Sequence, residues 1–428
     1  MSGWSLFTKE CRRVVTGLPF WLLVAALLAF LSTQFMAGLK PLEEPQPGLA
    51  SYGASDRVDW EKAIPAALQS LAGEYRENRY TTYPFGLVKT VRLKEEERRQ
   101  MGEILSQLTG RSEGELAAAA QAPGFAVGDG VRQPDGSFAV QVPQGEQTAP
   151  SLTLAPGLAR EDFVRLMEEA DGLLEGGSSY AAENLGGFGR EPLRYEEALE
   201  QYRQMVEEDR VTGAYARLFC DYMGIPLAVL PAFVAAALWL KDRRAGAREA
   251  IWSRRVSSLS LTAARFGAVI ATVMGAVLVL AGWMTAVVLA KNSDLSGSLT
   301  AFFSYSLGWL LPGVLISAGV GAFLTECTGT PIAIFVQGVW WYLSLFAGAG
   351  ELVGDYGWSL LIRHNRVGGY AEYRAGLAQI AANRLVYALA GLLLMLLTSW
   401  VLEQKRRGRF GGMGKAIRSH CRRQRAAV

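Results

Sequence analysis

The sequence predicts an α-helical polytopic membrane protein: six transmembrane helices, with an α+β extracytoplasmic domain inserted between helices 1 and 2. Three observations predict it. Half of the 428 residues are hydrophobic, and they come in blocks rather than as short periodic faces. Several blocks approach or exceed the ~18–20 residues that a helix needs to cross a bilayer. The charge is also divided. Between Lys40 and Arg217 stand 30 acidic and 19 basic side chains, a balance of −11 against +14 for the remainder, so the net +3 conceals two environments.

Residues 1–17 contain GWSLFTKECRRVV, in which Trp4, Phe7, Cys11, Val14 and Val15 recur at helical spacing while Lys9, Arg12 and Arg13 point elsewhere. This is the pattern of a short cytoplasmic helix lying in the membrane interface, with Trp4, Phe7, Arg12 and Arg13 as its interfacial residues; an ordinary basic tail is the alternative. Gly17 and Pro19 mark a break. The first span, 18–38, has an apolar run longer than the ~7–15 residues of a signal-peptide core, so an uncleaved helix is expected.

The extracytoplasmic domain, 40–217, begins on the Pro-rich linker KPLEEPQPG. It reads as helices over 59–78, 93–108, 160–174 and 195–210, with a hairpin over 125–142 around PDG. The second span is 223–240, a basic cytoplasmic loop or helix follows at 241–265, and the third span is 266–290. The fourth, 301–324, carries Pro312 and the small residues Gly313, Ser317, Ala318, Gly319, Gly321 and Ala322, which allow close helix approach. The fifth, 332–350, places Gln337 and the aromatics of QGVWWYLS in the bundle. The segment 351–383 reads as an extracytoplasmic loop ending in a helix; it can dip into the membrane only if protein covers its backbone. The sixth span, 384–402, leads into a basic cytoplasmic tail, 403–428.

Lysine and arginine beside span ends stay on the cytoplasmic side. Lys9, Arg12 and Arg13, the seven basic residues of 241–265, and the tail from Lys405 to Arg425 all fall on one face of a six-span chain. Both termini are therefore expected in the cytoplasm of a plasma-membrane protein, with 40–217 and 351–383 outside. An arginine held at mid-bilayer costs ~2.5–3.5 kcal/mol on insertion scales, so the 241–265 loop pins both of its neighbouring helices.

Several chemistries are not encoded. No G-x-x-x-x-G-K-[ST] loop occurs; GGMGKA at 411–416 lacks the spacing and the Ser/Thr, and LSGS at 295–298 lies on the outer side. There is no nucleophile elbow and no HExxH. The two histidines, His364 and His420, and the four scattered cysteines offer no metal-ligand spacing, and no metal is expected. The basic tail reads as a topology and lipid anchor rather than a nucleic-acid surface.

Residues 241–266, KDRRAGAREAIWSRRVSSLSLTAARF, resemble the segment between spans two and three of ABC-2-type exporter permeases, [ED]-R-x-x-G-T-x-E-x-L and a basic lead into span three. Asp242, Arg243, Gly246 and Glu249 stand in step; Ala247 replaces the usual Thr, Ile251 the Leu, Arg255 a frequent Pro and Arg265 a lysine. The ending, NRLVYALAGLLLMLLTSWVLEQKRRGR, is similar to the closing span of Gram-positive members, in which a large domain between spans one and two is common. The resemblance implies a non-catalytic permease subunit forming the pathway of an ATP-driven exporter. It implies a coupling helix, with Asp242, Arg243, Gly246, Glu249, Arg254 and Arg255, that docks on a separate ATPase subunit; this chain holds no cofactor and the partner binds ATP. A second permease protomer, the same chain or a sister, is implied, and helix 3–15 matches the family's N-terminal connecting helix. Two other classes stay open: a membrane sensor or mechanotransmission protein whose outer domain perceives a ligand, and a membrane enzyme acting on lipid or peptide.

Overall fold

The computed structural model describes residues 3–49, 52–82, 89–112, 115, 131–132, 138–139, 152–246, 256–347 and 357–409. In chain order its helices are α1 (Gly3–Val15), α2 (Leu18–Met36), α3 (Trp60–Glu77), α4 (Glu95–Thr109), α5 (Arg160–Leu173), α6 (Tyr195–Glu207), α7 (Thr212–Leu227), α8 (Leu230–Arg244), α9 (Ser258–Lys291), α10 (Ala301–Thr328), α11 (Ile332–Ala347) and α12 (Tyr370–Arg406). The strands are β1 (Ala54–Val58), β2 (Tyr80–Thr82), β3 (Lys89–Val91), β4 (Val131–Arg132), β5 (Phe138–Ala139) and β6 (Arg190–Pro192). The chain divides into two compact units, residues 1–44 with 200–428, and Pro45–Leu199.

The smaller unit is narrower than the 40–217 segment expected from the sequence: residues 200–217 belong with the helical unit. Its strands are short antiparallel pairs, β1 with β6, β2 with β3 and β4 with β5. The last pair joins Val131 to Ala139 and Arg132 to Phe138, within the stretch read as a hairpin, and its turn lies outside the described residues. The four predicted helices match α3 to α6. The apolar stripes of α3, α4 and α5 close on one core containing Leu68, Leu71, Met101, Leu105, Phe163 and Met167. Gly189 is required where β6 begins, because a Cβ there would stand 2.5 Å from both Asp59 O and Ala63 Cβ.

In the larger unit, five helices are long and apolar enough to cross a membrane: α2, the α7–α8 run Thr212–Arg243, α9, α10 and α12. By these helices the chain is a helical multi-pass membrane protein. Over the fifth expected span the described apolar helix is α11, which is shorter. At 1.5 Å per residue, the 34 residues of α9 and 37 of α12 reach ~50–55 Å, so both extend well past a hydrocarbon core of about 30 Å. Such helices cannot be held together by apolar burial against lipid, and shape does the work instead. A Cβ on Gly391 of α12 would lie 2.6 Å from the backbone of Leu315, and one on Gly321 would lie 2.6 Å from Ala232 O. The small-residue stripe of α10 thus lets α8 and α12 approach backbone to backbone.

The run from α7 to α8 is broken. Pro226 and Pro231 lack the N–H groups that would continue the ladder. Side chains take over: Trp341 Nε1 donates to Ile225 O at 2.8 Å and Gln337 Nε2 donates to Ala228 O at 2.7 Å. Ser317 Oγ accepts from Ala232 N at 3.1 Å. Gln337, expected in the bundle, is fully buried here. A broken helix in an apolar surround needs such partners, since lipid supplies none.

The described part of the 351–383 segment is irregular up to Gly369 and then enters α12. Leu360, Leu361 and Ile362 are buried. Asn383 Nδ2 donates to Gly357 O and Ser359 O, and the Tyr387 hydroxyl donates to Trp358 O. Protein therefore covers this backbone, the condition for such a segment to sit at membrane depth.

Candidate functional site

The stretch between α8 and α9 gathers the ends of several helices. Ser257 caps α9 by accepting from Ser260 N. After Arg244 the chain turns through Gly246, whose φ of +63° suits glycine. Of the residues singled out in the sequence, Asp242, Arg243 and Gly246 are described here; Glu249, Arg254 and Arg255 lie outside the described residues.

Asp242 sits at the last turn of α8 and is only 7% exposed. Its carboxylate accepts from Arg13 Nη2 of α1 at 2.5 Å and from Arg265 Nη2 of α9. Glu10, one helical turn before Arg13, accepts from Arg13 Nη1 at 2.9 Å, and its Oε1 lies 3.5 Å from Arg265 Nε. Two arginines and two carboxylates therefore neutralise one another where α1, α8 and α9 meet. Burial pulls the Arg13 pKa down, and the Glu10 and Asp242 carboxylates more than offset it, so it stands above the ordinary arginine value. Only by folding does the sequence bring together residues 10, 13, 242 and 265.

Neighbouring cations bind carbonyls at the end of α10 and before the start of α9. Arg243 Nη1 donates to Gly329 O, just beyond α10. Lys405 donates to Glu326 O and pairs with the Glu326 carboxylate at 3.1 Å. Arg406 Nη1 donates to Val256 O at 2.8 Å, and the Ser258 hydroxyl donates to Glu403 at 2.7 Å. Positive groups at helix C-termini also complement the helix dipole. In α1, Trp4 is 74% exposed and stacks on Phe7 with centroids 5.6 Å apart, while Arg12 is exposed. Trp21 Nε1 donates to Val15 O and fixes the corner between α1 and α2. The arrangement is a set of fixed ion pairs, suited to passing displacement between helices.

A second cluster was not legible in the sequence. Arg217 of α7 is fully buried and grips Asp209 through both oxygens, at 2.6 and 2.5 Å. Its Nη2 also donates to Gly368 O at 2.9 Å, and its guanidinium lies over the Tyr373 ring at 5.0 Å. One turn on, Asp221 accepts from Arg363 Nε at 2.9 Å and from His364 N at 3.0 Å. His364 Nε2 stands 2.8 Å from Gly368 O and 3.3 Å from Arg217 Nε. Burial first, and Arg217 second, push the His364 pKa down to about 4. The turn before α7 is strained, with φ of +48° at Arg210 and +54° at the β-branched Val211, and Asp209 holds it by its grip on Arg217. The signal available in the sequence was Arg217 and Asp221 at one-turn spacing just before an apolar run. Ending the outer domain at 217 and starting the second span at 223 left Arg217 in the domain and Asp221 in the connection between them.

A third buried charge is Arg384 of α12, 6% exposed, which donates to Asn383 Oδ1, Leu360 O and Trp309 O. Among the described residues no His, Cys, Asp and Glu cluster is arranged to hold a metal. The comparisons leave the family open: no protein-family model, curated protein or solved structure matches the chain.

Proposed function

We propose that the chain is the permease subunit of an ATP-binding cassette exporter of the ABC-2 type, coupled to a separate ATPase through 241–265. The observation that carries this reading is the ion cluster of Asp242. The acidic residue of the stretch that resembles a coupling segment is bonded directly to α1 and α9. A push on that stretch therefore reaches three helices at once, and the bonds made by Arg243, Lys405 and Arg406 extend it to α10 and α12. In this reading the chain crosses the plasma membrane six times with α11 as the fifth crossing, both termini are cytoplasmic, and an α+β domain between the first two crossings lies outside. ATP is bound and hydrolysed on the partner, and a second permease protomer completes the pathway.

The test is co-purification in mild detergent. A tagged chain should bring down an ATPase, and charge reversal of Arg254 and Arg255 to glutamate should lower that yield while leaving the protein in the membrane. An unchanged yield removes these residues from the docking surface, and an absent ATPase removes the exporter reading. A reporter fused near residue 130 should be active only outside the cell; activity in the cytoplasm overturns the orientation.

A further inference from the structure

Arg384 presents a charge that nothing described in the protein neutralises. It lies in the interior of α12, and among the described residues no carboxylate reaches it within 4 Å. This sets it apart from Arg217, Arg265 and Arg363, each of which has an acidic partner. Its acceptors are neutral. Asn383 Oδ1 takes Nε at 3.0 Å and Nη2 at 2.7 Å, Leu360 O takes Nη2 at 3.0 Å, and Trp309 O takes Nη1 at 3.3 Å. A guanidinium has five N–H groups, and these bonds use four. The fifth, on Nη1, has no acceptor among the described residues.

Beside it is a cavity of about 10 Å³, near the room that one water needs. Arg384 lines it together with Gly224, Leu227, Ala228 and Gly313, so it adjoins the break between α7 and α8. Two glycines make the space. A Cβ on Gly313 would stand 3.9 Å from Arg384 Nη1, and one on Gly224 would stand 3.8 Å from Leu310 Cδ2. Neither would clash, and both residues line the cavity, so an added methyl at either narrows it.

An isolated cation in an apolar interior is costly, and dipolar acceptors solvate it without neutralising it. A buried charge beside a cavity at a discontinuous helix is an arrangement by which membrane proteins hold ions. The small volume favours a small ion, and the charge selects its sign. We infer that Arg384 and the cavity at the α7–α8 break form a binding site for one small monovalent anion of the halide class. A chloride there accepts the fifth N–H and cancels the buried charge. The inference is independent of the exporter reading, because it concerns what the bundle holds and not what it moves.

The experiment compares thermal unfolding of the full chain in detergent in sodium chloride, sodium bromide and sodium gluconate at constant ionic strength. Chloride and bromide should each raise the midpoint saturably, by about 2 °C or more at tenfold excess over the dissociation constant. Gluconate, too large for the cavity, should not. Gly313→Ala, whose added methyl meets only ordinary contact distances, should fold and lose the halide response. Arg384→Gln should lose it also, and if that variant fails to fold, Gly313→Ala decides. Equal midpoints for the wild type in chloride and gluconate overturn the site. A halide response that survives in Gly313→Ala overturns its location.

Discussion

The two ion-pair clusters of the helical unit lie at opposite ends of the α7–α8 run, 25 residues apart between Arg217 and Asp242, and they are built differently. The Asp242 cluster joins separate helices, α1, α8 and α9, through side chains that reach across gaps, and Arg13 keeps 27% of its side chain exposed. The Arg217 cluster binds irregular backbone. Asp209 fixes a strained turn, Gly368 O and His364 belong to the segment before α12, and Arg217 has no exposure at all. The difference teaches that one end is jointed and the other sealed. Ion pairs between rigid rods can shift as a set. A guanidinium locked to a turn, a loop and an aromatic ring cannot move without exposing backbone groups that nothing else satisfies.

The comparison breaks most sharply at Asp209. Asp209→Ala leaves a fully buried guanidinium uncompensated and frees a turn with two left-handed residues, and should cost about 3–5 kcal/mol. Loss of the folded chain in a detergent unfolding titration checks it; a change under 1 kcal/mol would mean that the sealed end is not sealed by this pair. Asp242→Ala should cost less, on the order of 2–3 kcal/mol, because Arg13 keeps Glu10 and some access to water. Its specific sign is local: α1 should become cleavable by protease while the remaining helices stay protected. Equal protection of α1 in the variant and the wild type would show that apolar packing, not the ion cluster, holds that helix.

His364 sharpens the contrast through pH, since the Asp242 cluster contains no histidine. Unfolded, the imidazole binds its proton near pH 6.5; folded, it does so only at about 4. Between those values the unfolded state carries the additional proton. Stability is therefore full above pH 6.5, falls as pH drops toward 4, and levels off below, by at most roughly 3 kcal/mol from this residue. The wild type minus His364→Gln difference, measured across that window, should follow this curve. A flat difference would mean that neither burial nor Arg217 opposes protonation of the ring. The smallest expected effect is at the jointed end. Ser258→Ala removes one hydroxyl bond to Glu403 and an acceptor for Arg406, and should cost about 0.5–1.5 kcal/mol with α1 protection unchanged.

The sequence made the helices legible because lipid imposes a length and an apolarity that no other setting requires. The four helices α3 to α6 were equally plain, since a 3.6-residue stripe survives without knowledge of its partner. The candidate site was legible only in part. Asp242 and Arg243 could be named from a local pattern, but their partners Arg13, Arg265 and Gly329 lie up to 229 residues away or across another helix, and local spacing carries no such information. Arg217, Asp221 and Arg384 escaped because hydropathy windows stop at charges, and a buried charge looks like a boundary.

By itself the sequence determined a helical multi-pass chain with a compact insertion between its first two long apolar helices, and it marked the small-residue stripe of α10. The tertiary structure alone decided which charges are buried, which are paired, and which one is left without a counter-charge in the described protein. The reason is physical: hydrophobic length is a property of consecutive residues, whereas the cost of a charge depends on the groups that surround it, and these are assembled only when the helices pack.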